Sequence, residues 1–137
     1  MIPKFRAWDK RKNVMRDVAV LHFTKNGKTN SIEYWINPTE LKSYHVRNID
    51  LMQSTGLKDK NGVEIFEGDV VAVENHPFQR KEDSGVGMEI EGNYVVGWNQ
   101  HDLTWCAGDL LLARLKPYVK VIGNIYENPE LLEEEMR

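Results

Sequence analysis

The sequence of this 137-residue chain predicts a mainly β fold, either a small barrel or a sandwich. Six or more short apolar runs are separated by polar turn segments, and several runs show the two-residue period of a half-buried strand. Two Asn-Gly pairs, Asn26-Gly27 and Asn61-Gly62, supply the positive φ angles that type I′ hairpin turns need. No stretch has the periodicity of a long amphipathic helix, so strands are the main predicted elements.

The N-terminal region predicts two hairpins. Residues 4–8 alternate in polarity and continue through a polar turn into a second segment, which indicates a hairpin over residues 4–17. A second hairpin joins residues 18–24 to residues 29–36 through the first Asn-Gly pair. Residues 37–48 are polar and predict an irregular connection.

The middle of the chain predicts a loop, a bend and a second loop. Residues 51–56 read as a loop that leads into the second Asn-Gly turn. Gly68 separates two apolar runs and predicts a sharp bend, of the kind that lets a small sheet curl into a barrel. Residues 74–93 contain proline, several glycines and mixed charge, which predicts a long loop.

The C-terminal third predicts three strands, at residues 94–98, 103–106 and 118–125. Residues 108–115 fit a helical turn and a strand equally well. Asn128 as N-cap, with Pro129 at the first helical position, predicts a short C-terminal helical turn before an acidic tail.

Composition places the chain among globular proteins, with 41% hydrophobic and 28% charged residues. The single cysteine, Cys106, excludes an internal disulfide and fits a reducing compartment. The N-terminus lacks the apolar core of a signal peptide, and no apolar run is long enough to span a membrane. We therefore expect a cytoplasmic protein that has no membrane partner.

Charge is unevenly distributed although the formal net charge is only −3. Residues 1–60 hold 12 Lys/Arg and 6 Asp/Glu, whereas residues 61–126 hold 5 and 10, and residues 127–137 hold 1 and 5. The simpler interpretation is that the basic and acidic parts face each other, within or between subunits. The alternative is an anionic partner for the basic part.

Tests for catalytic and metal chemistry find no signature. The four histidines, at positions 22, 45, 76 and 101, lack metal-ligand spacing, so neither a metal nor another cofactor is expected. His101, Asp102 and Cys106 form the one cluster that would suit a hydrolase, but a core or half-buried cysteine is the favoured interpretation. Acidic residues around the Gly68 bend are explained by turn chemistry; they are Glu64, Glu67 and Asp69. We expect no enzyme activity and no catalytic residues.

Binding is the remaining class of function. Apolar strands and exposed-aromatic candidates at Trp8, Trp35 and Trp98 favour protein contacts, with homo-oligomerisation as the first hypothesis. Nucleic-acid binding through the basic N-terminal region is the second hypothesis. The candidate contact residues for either partner are Lys4, Arg6, Trp8, Lys10, Arg11, Lys12, Trp35 and Arg47.

Three segments carry a resemblance to a known family. They are PKFRAWDKRKNVM at 3–15, TGLKDKNGVEIFEGDVV at 55–71 and VIGNIYENPELL at 121–132. These segments are similar to the YopX family of phage and prophage proteins. The resemblance implies an SH3-like barrel, over residues 51–126, preceded by a smaller N-terminal β region over residues 1–50. The acidic residues 127–137 form a C-terminal tail that we expect to be exposed. The resemblance implies no activity.

Overall fold

The structure, a computed structural model, describes residues 4–81 and 87–133. It divides the chain into two compact units, Met1–Ser54 and Thr55–Arg137. Antiparallel strands dominate both units and helices are few, which confirms the predicted mainly β class. Among the described residues, no helix is long and apolar enough to cross a membrane.

The first unit is an antiparallel sheet in the order β4-β3-β2-β1-β5, and β5 continues into the second unit. A 3₁₀ turn, Val46–Asn48, connects its last two strands. The strands are β1 (Phe5–Asp9), β2 (Val14–Phe23), β3 (Thr29–Asn37), β4 (Glu40–His45) and β5 (Ile49–Lys58).

One face of this sheet carries the core of the first unit. Ala7, Ile32, Tyr34 and Ile49 are buried together on that face, which we call the inner face. Because side chains alternate along each strand, residues such as Trp8 and Trp35 point to the opposite, outer face. The outer face therefore presents every second residue of β1 and β3.

Among its described residues, the second unit contains six further strands and two single-turn helices. Its five-stranded sheet has the order β10-β9-β8-β7-β11, and β6 pairs with the end of β5. The elements are β6 (Glu64–Phe66), β7 (Asp69–Val73), β8 (Gly92–Asn99), β9 (Thr104–Ala107), β10 (Leu110–Leu111), α1 (Leu112–Leu115), β11 (Val119–Asn124) and α2 (Glu130–Glu133).

A single apolar cluster holds the second unit together. Val71, Val73, Val96, Leu112 and Val119 are each 2% exposed or less and pack in one core. Burying a side chain of this kind contributes about 1.5–3 kcal/mol. Within the described residues the strand pairing runs from β10 to β11 without closing into a ring, so a closed barrel is not observed.

Both Asn-Gly pairs make hairpin turns, but not of the predicted type. In the first turn, Thr24 N–H donates to Lys28 O at 2.7 Å and Gly27 N–H donates to Thr24 O at 2.9 Å. The second turn repeats both bonds between Asp59 and Val63, and in each turn φ is positive at the glycine and not at the asparagine. Since type I′ requires positive φ at two residues, that expectation was wrong, and each turn is a three-residue loop with a left-handed glycine.

Two predicted loops are strands. Residues 37–48, expected to be irregular, contain β4 and the 3₁₀ turn, because an edge strand exposed on both faces has the composition of a loop. Residues 51–56, also expected to be a loop, lie within β5, where residues on both faces are buried and no alternation is visible. The predicted bend at Gly68 is confirmed, with φ 84° between β6 and β7. Residues 108–115, left open between helix and strand, contain both β10 and α1.

Candidate functional site

The predicted contact residues fall into two groups, and the first lies on the outer face of the first unit. Arg6 and Trp8 flank the buried Ala7 along β1. Because successive side chains of a strand point to opposite faces, both lie on the outer face. The carboxylate-bearing residues Asp17 and Asp50 are cross-strand neighbours of Arg6 and Trp8, respectively. The outer face therefore mixes both signs of charge and is not a continuous basic patch.

Trp35 also lies on the outer face, where it belongs to an apolar pair. It is 46% exposed and sits directly across from Leu41, which is 40% exposed. Leu41 belongs to β4, the edge strand of the sheet. The predicted exposure of Trp35 therefore coincides with an open sheet edge.

Lys4, another of the predicted contact residues, precedes β1 and is exposed. Its carbonyl accepts a hydrogen bond from Ser54 N–H at 2.7 Å.

The second group gathers at one end of the first unit, which we call the basic end. It consists of the β1–β2 turn residues Lys10, Arg11 and Lys12, together with Arg47 of the 3₁₀ turn. Lys10 N–H donates to Asn48 O at 2.9 Å and thereby ties the two turns together. The Lys10 ammonium lies 3.5 Å from the Asp50 carboxylate, and all four side chains are exposed.

A shallow depression of about 450 Å³ opens at the basic end. We call it the polar depression, because none of its lining residues carries a carboxylate or an aliphatic side chain. Inside it, His45 Nδ1 accepts from Arg47 N–H at 3.1 Å, so a neutral ring holds its proton on Nε2 and can donate from there. The lining residues are Arg11, Asn30, Ser31, Ser43, Tyr44, His45 and Asn48.

A buried carboxylate holds the basic turn in place. Asp9 is fully buried, and its Oδ1 accepts from Arg11 N–H at 3.0 Å and from Lys12 N–H at 3.1 Å. The Tyr44 hydroxyl donates to the same oxygen at 3.1 Å. The Arg16 guanidinium lies 3.5 Å from Oδ2, which accepts no hydrogen bond among the described residues.

These contacts set the pKa values of both partners. Burial acts to raise the pKa of Asp9, but the hydrogen bonds from Lys12, Tyr44 and Arg11 and the charge of Arg16 outweigh it and lower the pKa. Burial, followed by the bond to the Asp9 carboxylate, raises the pKa of Tyr44. Asp9 is therefore an anion at neutral pH, and it anchors the turn that carries the cations.

Asp9 was not predicted to be a functional residue. Its signal was present, because an Asp that begins a polar turn commonly accepts hydrogen bonds from the backbone that follows it. The Tyr44 contact had no such signal, since it joins residues on β1 and β4 through tertiary structure. Arg16 was also not predicted to take part in the site. Its guanidinium lies 4.7 Å from the centre of the Tyr34 ring, in a cation–π contact.

Acidic residues of the second unit serve turns. Asp69 is 1% exposed and accepts from Phe66 N–H at 2.8 Å, which confirms the turn interpretation for that residue. Asp59, 6% exposed, accepts from Asn61, Val63 and Val121 N–H groups at 2.8–2.9 Å. Burial acts to raise the pKa of Asp59, but these three bonds and Lys60 lower it overall. Among the described residues, no group of three or more His, Cys, Asp or Glu is arranged to hold a metal ion.

The hydrolase cluster is not assembled. Cys106 is 4% exposed within β9. His101 and Asp102 are exposed in the preceding turn, where Asn99 Oδ1 accepts both of their N–H groups at 2.9 Å. In the described part of the chain, no hydrogen bond links the thiol to either residue. A nucleophilic cysteine needs such a base within reach.

An apolar groove of about 500 Å³ opens on the second unit. Phe78 and Met88, at 67% and 59% exposed, form one side of it. Leu110, Leu111 and Tyr118 lie among its other lining residues.

Trp98, predicted to be an exposed aromatic, is 45% exposed. Its ring makes an edge-to-face contact with the ring of Trp105, with 5.2 Å between the ring centres.

Comparisons with known proteins agree with the resemblance in the sequence. A solved structure, the crystal structure of protein EF1440 from Enterococcus faecalis, is 29% identical and has a TM-score of 0.65. The alignment covers 96% of this chain and 99% of that one. The search of curated proteins returned no match. The YopX protein family model matches residues 4–133, nearly the whole chain, and the protein therefore belongs to the YopX family.

Proposed function

We propose that this phage or prophage protein is a non-catalytic binding and assembly module that associates with a second copy of itself through the first unit. The observation that carries the proposal is the open edge at β4, next to the exposed pair Trp35 and Leu41. Edge strands with free backbone groups and neighbouring apolar side chains are the common sites of strand addition.

The side chains of β4 make this edge self-complementary. Glu40 and Lys42 flank Leu41, and all three are exposed. Two β4 strands paired antiparallel about Leu41 would place Glu40 of each copy opposite Lys42 of the other. The two copies would contribute the same patch, as in a two-fold symmetric interface. Opposite charges in directly opposed cross-strand pairs stabilise a sheet, whereas like charges destabilise it.

The same proposal covers the architecture of the second unit, the absence of a catalytic role and the cellular location. We assign the second unit an SH3-like architecture, supported by its short antiparallel strands and the bend at Gly68. Its apolar groove supports a binding role, because exposed large apolar side chains in a concave surface are typical of recognition sites. We assign no catalytic role and no cofactor, and we place the protein in the cytoplasm of the host cell, where a lone buried cysteine fits the redox conditions.

Light scattering across a concentration series tests the assembly. The wild type should show a mass above that of one 15.9 kDa chain that rises with concentration. Lys42→Glu and Glu40→Lys should each shift the midpoint of association to higher concentration, and the double swap should restore it. Lys25→Glu, a lysine exposed outside β4, serves as the charge-matched control. A strict monomer at every concentration, or no recovery in the double swap, contradicts the proposal.

A second candidate function is nucleic-acid binding through the basic N-terminal region. The specific observation in its favour is the basic end, where Arg11, Lys12 and Arg47 are exposed beside a depression without carboxylates. Binding to phosphates releases counterions, so the affinity should fall steeply with salt. A salt titration with a labelled oligonucleotide tests this, and absence of salt-dependent binding at low ionic strength rules it out.

A further inference from the structure

We propose that the polar depression binds a backbone phosphate of single-stranded nucleic acid, with Arg11 as the principal charged contact. The inference rests on the second candidate function and narrows it to one site and one class of ligand. The proposed nucleic-acid site includes the basic end. It does not include the predicted contact residues on the outer face.

The side chains that line the polar depression suit an oxyanion. Arg11 offers a planar fork of N–H donors that suits two oxygens of a phosphate. Ser31 and Ser43 add hydroxyl donors, and Asn30 and Asn48 add amide donors. An oxyanion placed there meets hydrogen-bond donors on several sides and no carboxylate in the lining. A neutral or cationic ligand would leave most of these donors without a charged acceptor.

The charges around the polar depression also favour an anion. Lys12 and Arg47 are exposed next to the depression, and both contribute positive potential at its mouth. Asp9 is engaged by backbone N–H groups and Asp50 by Lys10, and Glu33, the cross-strand neighbour of Ser43, lies 2.8 Å from His22 Nε2. The potential that an incoming phosphate meets is therefore positive, even though the whole chain carries a formal net charge of −3.

The backbone around Arg11 is already ordered before a ligand binds. The backbone of Arg11 is fixed by its hydrogen bond to Asp9, and Lys10 N–H fixes the turn to the 3₁₀ segment through Asn48 O. Asn13 closes the turn with φ 55°, a conformation that asparagine tolerates better than most residues. A site whose backbone is already ordered loses less entropy when the ligand binds.

An exposed ring in the depression favours single-stranded over duplex nucleic acid. The ring of Tyr44 packs against the core of the first unit, so the exposed ring of His45 is the one that the depression offers to a base. Unpaired bases stack on such rings, at about 1–3 kcal/mol per base, whereas bases inside a duplex present no free face. The depression is also too small for more than about one nucleotide unit, at roughly 450 Å³.

Fluorescence anisotropy with a labelled oligothymidylate at low salt tests the site. Arg11→Glu should weaken binding by about tenfold or more, the value of one lost charge-assisted contact. Lys25→Glu makes the same change in net charge on an exposed β2–β3 turn, and it should weaken binding by no more than about threefold. Arg11→Gln and the pair Ser31→Ala with Ser43→Ala test the site without reversing a charge, and circular dichroism confirms that each variant is folded.

The outcomes separate the levels of the proposal. If the wild type binds no oligonucleotide, the second candidate function itself is wrong. If the wild type binds but Arg11→Glu and Lys25→Glu lose equal affinity, binding is diffuse and the polar depression is not the site. If a duplex of the same length binds as tightly as the single strand, the assignment of the ligand class is wrong. Because Ser43 and His45 of β4 also line the depression, light scattering under the same conditions reports the oligomeric state of each variant, so that a loss of binding is separated from a change in association.

Discussion

The Tyr44 hydroxyl donates a 3.1 Å hydrogen bond to Oδ1 of Asp9, and it thereby joins strand β4 to the end of strand β1. Asp9 is fully buried, and the same oxygen accepts two backbone N–H groups of the basic turn. The conformation of the turn that carries Arg11 therefore depends on a tyrosine in the edge strand. Stability of the first unit and geometry of the polar depression are linked through one carboxylate.

Replacing Tyr44 by Phe should destabilise the protein by about 1–3 kcal/mol, because a buried anion loses a hydrogen-bond donor. Urea unfolding measures the change. Tyr34→Phe is the matched control, since Tyr34 is buried in the same unit and its hydroxyl makes no hydrogen bond among the described residues. A control that costs as much as Tyr44→Phe would show that the Asp9 contact contributes nothing specific.

Acid should destabilise the wild type partly through Asp9. Its pKa in the folded protein is lower than the ordinary 3.8, so the ionised form stabilises the fold above about pH 4, and this contribution is lost as pH falls through the folded pKa. Asp59 contributes with the same sign. Asp9→Asn should therefore lower the free energy of unfolding at pH 7 by roughly 1–3 kcal/mol and narrow its difference from wild type below pH 4. An equal difference at pH 7 and pH 3 would contradict the lowered pKa.

Two strand glycines of the second unit should respond oppositely to alanine. A Cβ at Gly123 would overlap the side chain of Asn128, whose Oδ1 accepts from Asn124 N–H at 3.3 Å. We expect Gly123→Ala to cost roughly 1–3 kcal/mol through this overlap. At Gly97 a Cβ meets nothing within 4 Å, so Gly97→Ala should be neutral or stabilise by up to about 1 kcal/mol. Thermal unfolding compares the two, and similar losses at both positions would count against the overlap.

The thiol of Cys106 should be protected in the folded protein. It is 4% exposed, so a thiol reagent should modify it only after local or global opening. We expect the native protein to react about 100-fold or more slowly than the protein in guanidinium, the difference being set by the opening equilibrium. Rapid native modification would reveal an accessible thiol and would reopen the hydrolase hypothesis for Cys106, His101 and Asp102.

Local patterns predicted the parts of this protein that depend on neighbouring residues. Hairpins at β1–β2 and β2–β3 follow from alternation and a glycine turn, and the bend at Gly68 follows from glycine between two apolar runs. The resemblance carried by the same segments identified the family, which the family model confirmed over residues 4–133. Each hairpin and the bend are encoded within about 20 consecutive positions.

Tertiary structure decided the rest. β4 and residues 51–56 of β5 were predicted to be loops. An edge strand exposed on both faces and a strand buried on both faces both lack the alternation that marks a half-buried strand. The division of the eight predicted contact residues into an outer-face group and a basic end required the register of β1 against β2 and β5. Asp9, Arg16 and Tyr44 meet only in the folded sheet. The sequence alone determined the class, the turns and the family, whereas long-range pairing decided which side chains form a site, since no local pattern encodes contacts between distant strands.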